Sequence, residues 1–284
     1  MILVDLNQVM ISNLMAQIGS QKNVDVDENL LRHMILNALR GYKNKFSAEY
    51  GELVICCDST NVWRKEVFPY YKAHRKSARD SSDLDWHHLF NCLNNVRDEL
   101  KEFFPYKFIM VDTAEADDII GVLCHMHGKM LGNGDPIMIL SGDKDFMQLQ
   151  KFSNVRQWDP VRKRKLATND PHKFLIEHIL KGDRGDGIPN ALSPGDVFVT
   201  GGRQKPVRQT FINKVIEEIQ SGSFDYDSIE FRRNEVLVDL YQTPTHISVE
   251  VAKQYENEPA DRSGLFNYFI KNRLTNLMEH IGEF

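Results

Sequence analysis

Through the first 140 residues, short unbroken apolar runs alternate with segments whose apolar positions recur every three or four residues. Ile2–Leu6, Leu53–Cys57, Lys107–Val111 and Ile137–Leu140 are too short for amphipathic helices and predict buried strands. Between them, apolar residues at 30, 31, 34, 35, 38, 39 and 42 predict a helix over Asn29–Tyr42. Trp86, Leu89, Phe90, Leu93, Val96 and Leu100 predict another over Trp86–Phe104. Strands alternating with helices predict an α/β fold, a mostly parallel central sheet with helices on both faces. Beyond residue 150 come a strand at Val155–Asp159, a basic hairpin over Val161–Leu166, and a capped helix over Asp170–Leu180 with Pro171 at its first position. Helices follow at Val207–Ile219, Ile229–Tyr241 and Val249–Tyr255. An apolar stripe then runs from Leu265 through Phe269 and Leu277 to Ile281. The expected organisation is an α/β domain over 1–190 and a smaller, mainly helical part over 191–284.

Acids mark the ends of these strands. Asp5 closes the first run, Asp58 follows the second, and Ser141-Gly142-Asp143-Lys144-Asp145 follows the fourth. In open α/β sheets the carboxyl ends of the strands form the binding crevice. After the third run, Asp112 and Glu115 have the spacing of a helix-capping box, and the helix they introduce carries Asp117 and Asp118. On a helical period Asp117 shares a face with Ile120 and Cys124, so its carboxylate points inward, where an unpaired charge is costly and a cation is a remedy. Asp5, Asp58, Asp117, Asp143 and Asp145 therefore converge on one sheet edge. Oxygen ligands without His or Cys point to Mg²⁺, with Mn²⁺ as a substitute. Two such ions about 4 Å apart suit phosphodiester hydrolysis. The turn Lys181-Gly182-Asp183-Arg184-Gly185-Asp186-Gly187-Ile188-Pro189-Asn190 brings two further acids; by itself it reads equally as a solvated loop.

Composition narrows the partner class. The chain has 284 residues, 42% apolar and 26% charged, enough for a sizeable core. No apolar run approaches the ~20 residues of a membrane span, and Met1–Asp5 lacks the basic region of a signal peptide, so a cytoplasmic protein is expected. Cys56, Cys57, Cys92 and Cys124 have no Cys-x-x-Cys spacing, and His87, His88, His125 and His127 lack partners at zinc-ligand spacing. A net charge of −5 argues against nucleic acid only if charge is spread evenly. It is not: 62–79 carries Arg64, Lys65, Lys72, His74, Arg75, Lys76 and Arg79 against Glu66 alone, interleaved with Trp63, Phe68, Tyr70 and Tyr71. Residues 162–165 are Arg-Lys-Arg-Lys, and Arg203, Lys205 and Arg208 follow. A basic body around an acidic, metal-holding centre fits a nuclease.

Asp5, Asp58, Glu115-Ala116-Asp117-Asp118, Ser141-Gly142-Asp143-Lys144-Asp145 and Gly182-Asp183-x-x-Asp186-x-Ile188-Pro189 stand in the order used by the flap endonuclease and 5′-to-3′ exonuclease family. The chain resembles that family throughout, its phage ribonuclease H branch most of all, through Phe68-Pro69-Tyr70-Tyr71-Lys72-x-x-Arg75, Ile179–Asp183 and Gly282-Glu283-Phe284. The resemblance implies a PIN-like 5′-nuclease fold and an enzyme that removes RNA primers, short DNA 5′ ends and 5′ flaps during replication. It also implies a helical arch over about 60–85. Asp5, Asp58, Asp117 and Asp143 match first-ion ligands, Asp145, Asp183 and Asp186 second-ion or outer-shell ligands, and Glu115 and Asp118 complete the acid set. Lys72 and Arg75 match basic arch positions beside the scissile phosphate. Arg64, Lys76 and Arg79 would face nucleic acid, with Tyr70 or Tyr71 stacking a displaced base. The family's duplex-binding hairpin is altered here to Ala191–Asp196 and Gly201–Pro206, which shifts that role to Arg203, Lys205 and Arg208. Branched or nicked DNA and RNA–DNA hybrid are the implied partners, with a single-stranded-DNA-binding protein contacting 262–284 of a monomer. The rival readings are a PIN-type ribonuclease, whose domains are shorter and lack the arch, and a non-catalytic binder of branched DNA, which needs no such acid set.

Overall fold

Ile2, Leu3 and Val4, like the other short apolar runs, have no side that tolerates water, so they pair into the middle of a sheet covered on both faces. The structure is a computed structural model and describes residues 1–19, 26–132, 134–224 and 228–284. Strands β1 (Ile2–Asp5), β2 (Leu53–Cys56), β3 (Lys107–Ile109), β4 (Ile137–Leu140) and β5 (Val155–Asp159) pair parallel, and β6 (Arg164–Leu166) returns antiparallel on β5 as the expected basic hairpin. The spatial order is β3-β2-β1-β4-β5-β6. Chain order therefore reverses between β1 and β4, which puts the topological switch point, and the crevice that goes with it, at the ends of those two strands.

The helices are α1 (Leu6–Ile18), α2 (Glu28–Tyr50), α3 (Arg64–Val67), α4 (Ala73–Asp80), α5 (Trp86–Phe103) and α6 (Ala116–His127). After the hairpin come α7 (Pro171–Lys181), α8 (Gln209–Ser221), α9 (Ile229–Val238), α10 (Thr245–Glu256), α11 (Leu265–Lys271) and α12 (Thr275–Met278). Alternation along β1 sends Ile2 and Val4 into a core built by α1, α2 and α5, and Leu3 into one built by α6 and α10. In the segment expected to form the arch, α4 contributes His74, Arg75 and Arg79 to the cleft that also holds the strand-end acids. The pattern of apolar residues did not announce α1; Asp5 caps it, accepting from Gln8 N at 3.0 Å. The helix begun at Asn29 runs on to Tyr50 rather than stopping at Tyr42.

Apolar packing runs across residue 190. Leu265, Tyr268, Phe269, Leu274, Leu277 and Phe284 pack with Ile2, Val4 and Ile55 in one cluster, while Leu240, Ile247 and Val251 join Leu3 and Val54 in another. A third joins Phe68 and Leu180 to Ile212 and Phe231. Fully buried Phe284 packs edge-on against Phe104 and Phe269. Its side chain contributes about 1.5–3 kcal/mol by burial alone, so Phe284 is part of the α/β core.

Candidate metal centre and nucleic-acid cleft

The switch point opens into a cleft of about 940 Å³, whose lining includes Asp5, Asp58, Glu115, Asp117, Asp143 and Asp186. Each acid is delivered by a different local device. Asp5 ends β1, caps α1 and accepts the Ser141 hydroxyl at 3.0 Å. Asp58, two residues beyond β2, accepts Ala116 N at 2.6 Å and the Asn7 amide. Asp117 sits in the first turn of α6, and Asp143 lies beyond β4, accepting Asp145 N at 3.0 Å. Asp183 and Asp186 are presented by the turn after α7, closed by Ile188 N donating to Asp183 O at 2.7 Å. Gly182 holds φ 67° there, and a Cβ on it would lie 2.4 Å from Ile188 O, so the turn requires glycine.

Electrostatics divides these acids in two. Burial, reinforced by Asp58, pushes the Asp5 carboxyl up to about 7, and burial with Asp143 nearby pushes Asp145 up to about 8. Burial likewise raises Asp58, Asp143 and Asp117, with Asp143 adding repulsion on Asp117. Asp145 Oδ1 is buried without a hydrogen-bond partner among the described residues. Buried carboxylates that repel one another, with Lys72 and His178 offsetting only part of the cost, fit divalent cations, hard acids that accept only oxygen-rich surroundings readily. Glu115 differs: burial raises it, but Lys72 and Arg64 outweigh that and hold it below the ordinary range. Arg64 Nη1 donates to it at 2.9 Å, Lys72 Nζ at 2.6 Å and the Tyr71 hydroxyl at 2.8 Å.

Several expectations need correction. Asp118 is fully buried and away from the cleft: it pairs with Arg64 at 2.8 Å, accepts Trp63 Nε1 and the Thr243 hydroxyl, and takes Glu115 N at 2.9 Å. Its oxygens are consumed by the fold, so it is not a metal ligand. The capping pair is accordingly Glu115 with Asp118, not Asp112 with Glu115; Asp112 accepts from Ser59 and Thr113. Arg64, 2% exposed, also donates to Leu237 O, and cannot reach nucleic acid. Tyr71, 2% exposed, spends its hydroxyl on Glu115 and Asp186 and has no free ring face for a base.

Other expected residues are available. Lys72 adopts φ 54°, its nitrogen donating to Asp186 O, and its ammonium lies 3.4 Å from Asp186 as well as against Glu115. Arg75 pairs with Asp186 at 2.6 Å and donates to Gly185 O. Lys76 is exposed, Arg79 half-buried, and Tyr70 exposed beside Phe68. Arg203, Lys205 and Arg208 are exposed in the segment before α8. Asn190 ties that segment to the Gly182–Asn190 turn through Gln204 and Lys205.

Three contributors were missed. Asn7 and Gln8 follow the first strand end directly; Asn7 holds Asp58 and Gln8 accepts Gly142 N. His178, in the last turn of α7, places Nε2 3.4 Å from both Asp145 and Asp183, and the three form a group able to hold a cation. Burial lowers the imidazole but Asp183 and Asp145 raise it further, and the contact draws Asp183 down to about 2. The signal in the sequence was a histidine one turn ahead of Gly182-Asp183.

Comparison with known proteins covers the whole chain. The family described as 5′-3′ exonuclease, N-terminal resolvase-like domain, matches residues 1–177, and that described as T4 RNase H, C terminal, matches 171–284. The chain is 30% identical to ribonuclease H of Enterobacteria phage T4 over 99% of its length and 95% of that protein's. It is 27% identical to flap endonuclease Xni of Shewanella denitrificans over 64% of its length and 70% of that protein's. The solved T5 5′-exonuclease with bound zinc superimposes with a TM-score of 0.59 at 16% identity, covering 89% of this chain and 96% of that one, a likeness of fold.

Proposed function

The chain belongs to the 5′-3′ exonuclease family, and from that premise we propose that it hydrolyses phosphodiester bonds at 5′ ends during DNA replication: RNA primers paired to DNA, DNA 5′ ends and 5′ flaps. The observation that carries the reading is the convergence of Asp5, Asp58, Asp117 and Asp143 on one cleft without cationic neutralisation by hydrogen-bonded side chains, beneath an arch whose cations face the same space. Two Mg²⁺ ions are assigned, Mn²⁺ substituting. The first falls to Asp5, Asp58, Asp117 and Asp143, the second to Asp145, Asp183 and Asp186. When bound, such ions activate water and stabilise the departing oxygen.

The chain's own residues do the rest. Lys72 and Arg75, held by acids in the free protein, exchange Glu115 and Asp186 for the scissile phosphate and offset its charge. Arg64 and Tyr71 are positioning residues that fix Glu115 and Asp186 from beneath. Tyr70, Lys76 and Arg79 line the approach, and Arg203, Lys205 and Arg208 hold the duplex by its phosphates. Phe266 and Ile270, 53% and 52% exposed on α11, are the surface offered to a single-stranded-DNA-binding protein. A monomer working in the host cytoplasm completes the proposal; among the described residues no helix is long and apolar enough to cross a membrane. The test is product analysis of a 5′-flapped duplex and of an RNA primer on DNA, with Mg²⁺ or with chelator. Metal-dependent cutting from the 5′ side supports the reading; tight binding without cutting sinks it.

A further inference from the structure

The cleft has a second wall that the acid centre does not explain. Besides the carboxylates it is lined by apolar side chains, Met10 and Ile11 from α1 and Trp86, Phe90 and Leu93 from α5, with the polar Asn94 and Arg97 further along α5. Positions 86, 90 and 93 share one helical face, so α5 presents a continuous strip to the cavity. Leu93 is its buried floor, whereas Phe90 is 38% exposed. Trp86 lies 5.6 Å from Phe90, ring centroid to centroid, and its buried indole N–H has no partner among the described residues. The Arg79 guanidinium sits 5.8 Å above the Phe90 ring.

About 940 Å³ is also far more than ions and one phosphate occupy, given roughly 30 Å³ for a water. Asp5 links the acids to these apolar side chains: it is an acid of the centre and the cap of the helix that carries Met10 and Ile11. A ligand that fills this space must present phosphate at the acid centre and flat apolar rings at these side chains, with a cation tolerated above a ring. That is the chemistry of a single-stranded oligonucleotide, every base of which has a face to stack.

We propose that Trp86 and Phe90 form a base-stacking platform for the single-stranded 5′ arm of the substrate, with Arg79 over it. The inference deepens the nuclease reading and rests on it. The experiment compares binding, in chelator, of a duplex with a base-bearing 5′ arm and one with an abasic arm, for the wild type, Trp86→Ala, Trp86→Phe and Phe90→Ala. The wild type prefers the base-bearing arm. Each alanine variant lowers that preference by about 5-fold or more, the worth of one stacked base at ~1–3 kcal/mol, and Trp86→Phe retains most of it.

A purely structural role weakens both substrates alike and leaves the ratio unmoved, which overturns the proposal. Phe90 is exposed enough for its variant to fold even if Trp86→Ala does not. Wild-type cutting of the base-bearing arm is measured in parallel with Mg²⁺. Cutting without any base preference overturns the platform and leaves the nuclease reading standing. Base preference without cutting overturns the nuclease reading while the arm site survives.

Discussion

Arg64→Ala separates structure from nucleic-acid contact. The guanidinium stands between two buried carboxylates, 2.9 Å from Glu115 and 2.8 Å from Asp118, which are 4% and 0% exposed. Removing it leaves Asp118 with only neutral donors and Glu115 with Lys72 as its remaining cation. Breaking a buried ion pair from one side costs about 3–5 kcal/mol, because the abandoned charge cannot reach water. Against a typical total of roughly 5–15 kcal/mol this is a large fraction. With a urea slope near 3 kcal/mol/M it shifts the midpoint down by about 1–2 M. The assay is equilibrium urea unfolding of the metal-free protein, followed by salt-dependent DNA binding of whatever remains folded. A surface phosphate contact behaves in the opposite way, costing within about 0.5 kcal/mol of stability and lowering the salt slope of binding by about 1. An unchanged midpoint with a reduced salt slope would refute the buried-clamp argument.

Other consequences follow from the same site. Asp5 at about 7 and Asp145 at about 8 lie above the ordinary unfolded value, so the metal-free folded protein holds more protons than the unfolded chain and loses stability as pH rises from about 4 through 8. Bound cations replace those protons; the rise in Tm on adding Mg²⁺ is therefore larger at pH 8 than at pH 6, and an equal or smaller rise at pH 8 contradicts this. His178→Gln removes the imidazole between Asp145 and Asp183. It should weaken the second Mn²⁺ by at least about tenfold, the usual cost of losing such support, read by electron paramagnetic resonance titration; an unchanged isotherm would exclude a role for His178 there.

The strands and their terminal acids were legible because a buried parallel strand is an almost pure apolar run, and an Asp at its end breaks that run visibly. Asp5, Asp58 and Asp143 were found this way, Asp117 from its place on a helical period, and the structure brings all four to one cleft. Arg64, Asp118 and Tyr71 misled because sequence displays charge and ring, not burial: the acids that claim Arg64 lie 51 and 54 residues along the chain. The helix α1 escaped because Asn7, Gln8, Ser12 and Asn13 interrupt its stripe while Asp5, read only as a strand end, also starts it. How the two parts pack together was not legible. The stripe from Leu265 onward announces burial but not its target, and Tyr268 stacks on Phe103 while its hydroxyl donates to Glu99 at 2.8 Å on α5. His178 was missed because only Asp183 stands near it in the sequence, while its other partner, Asp145, comes from a separate segment.

The most direct test of the central claim is Asp117→Asn, since Asp117 has no hydrogen bond among the described residues that the fold would miss, and only its charge toward a cation changes. Cleavage of a 5′-flapped duplex is measured in Mg²⁺ beside equilibrium binding of the same duplex. The account predicts that cutting is lost while binding persists. Cutting at the wild-type rate by Asp117→Asn would contradict it.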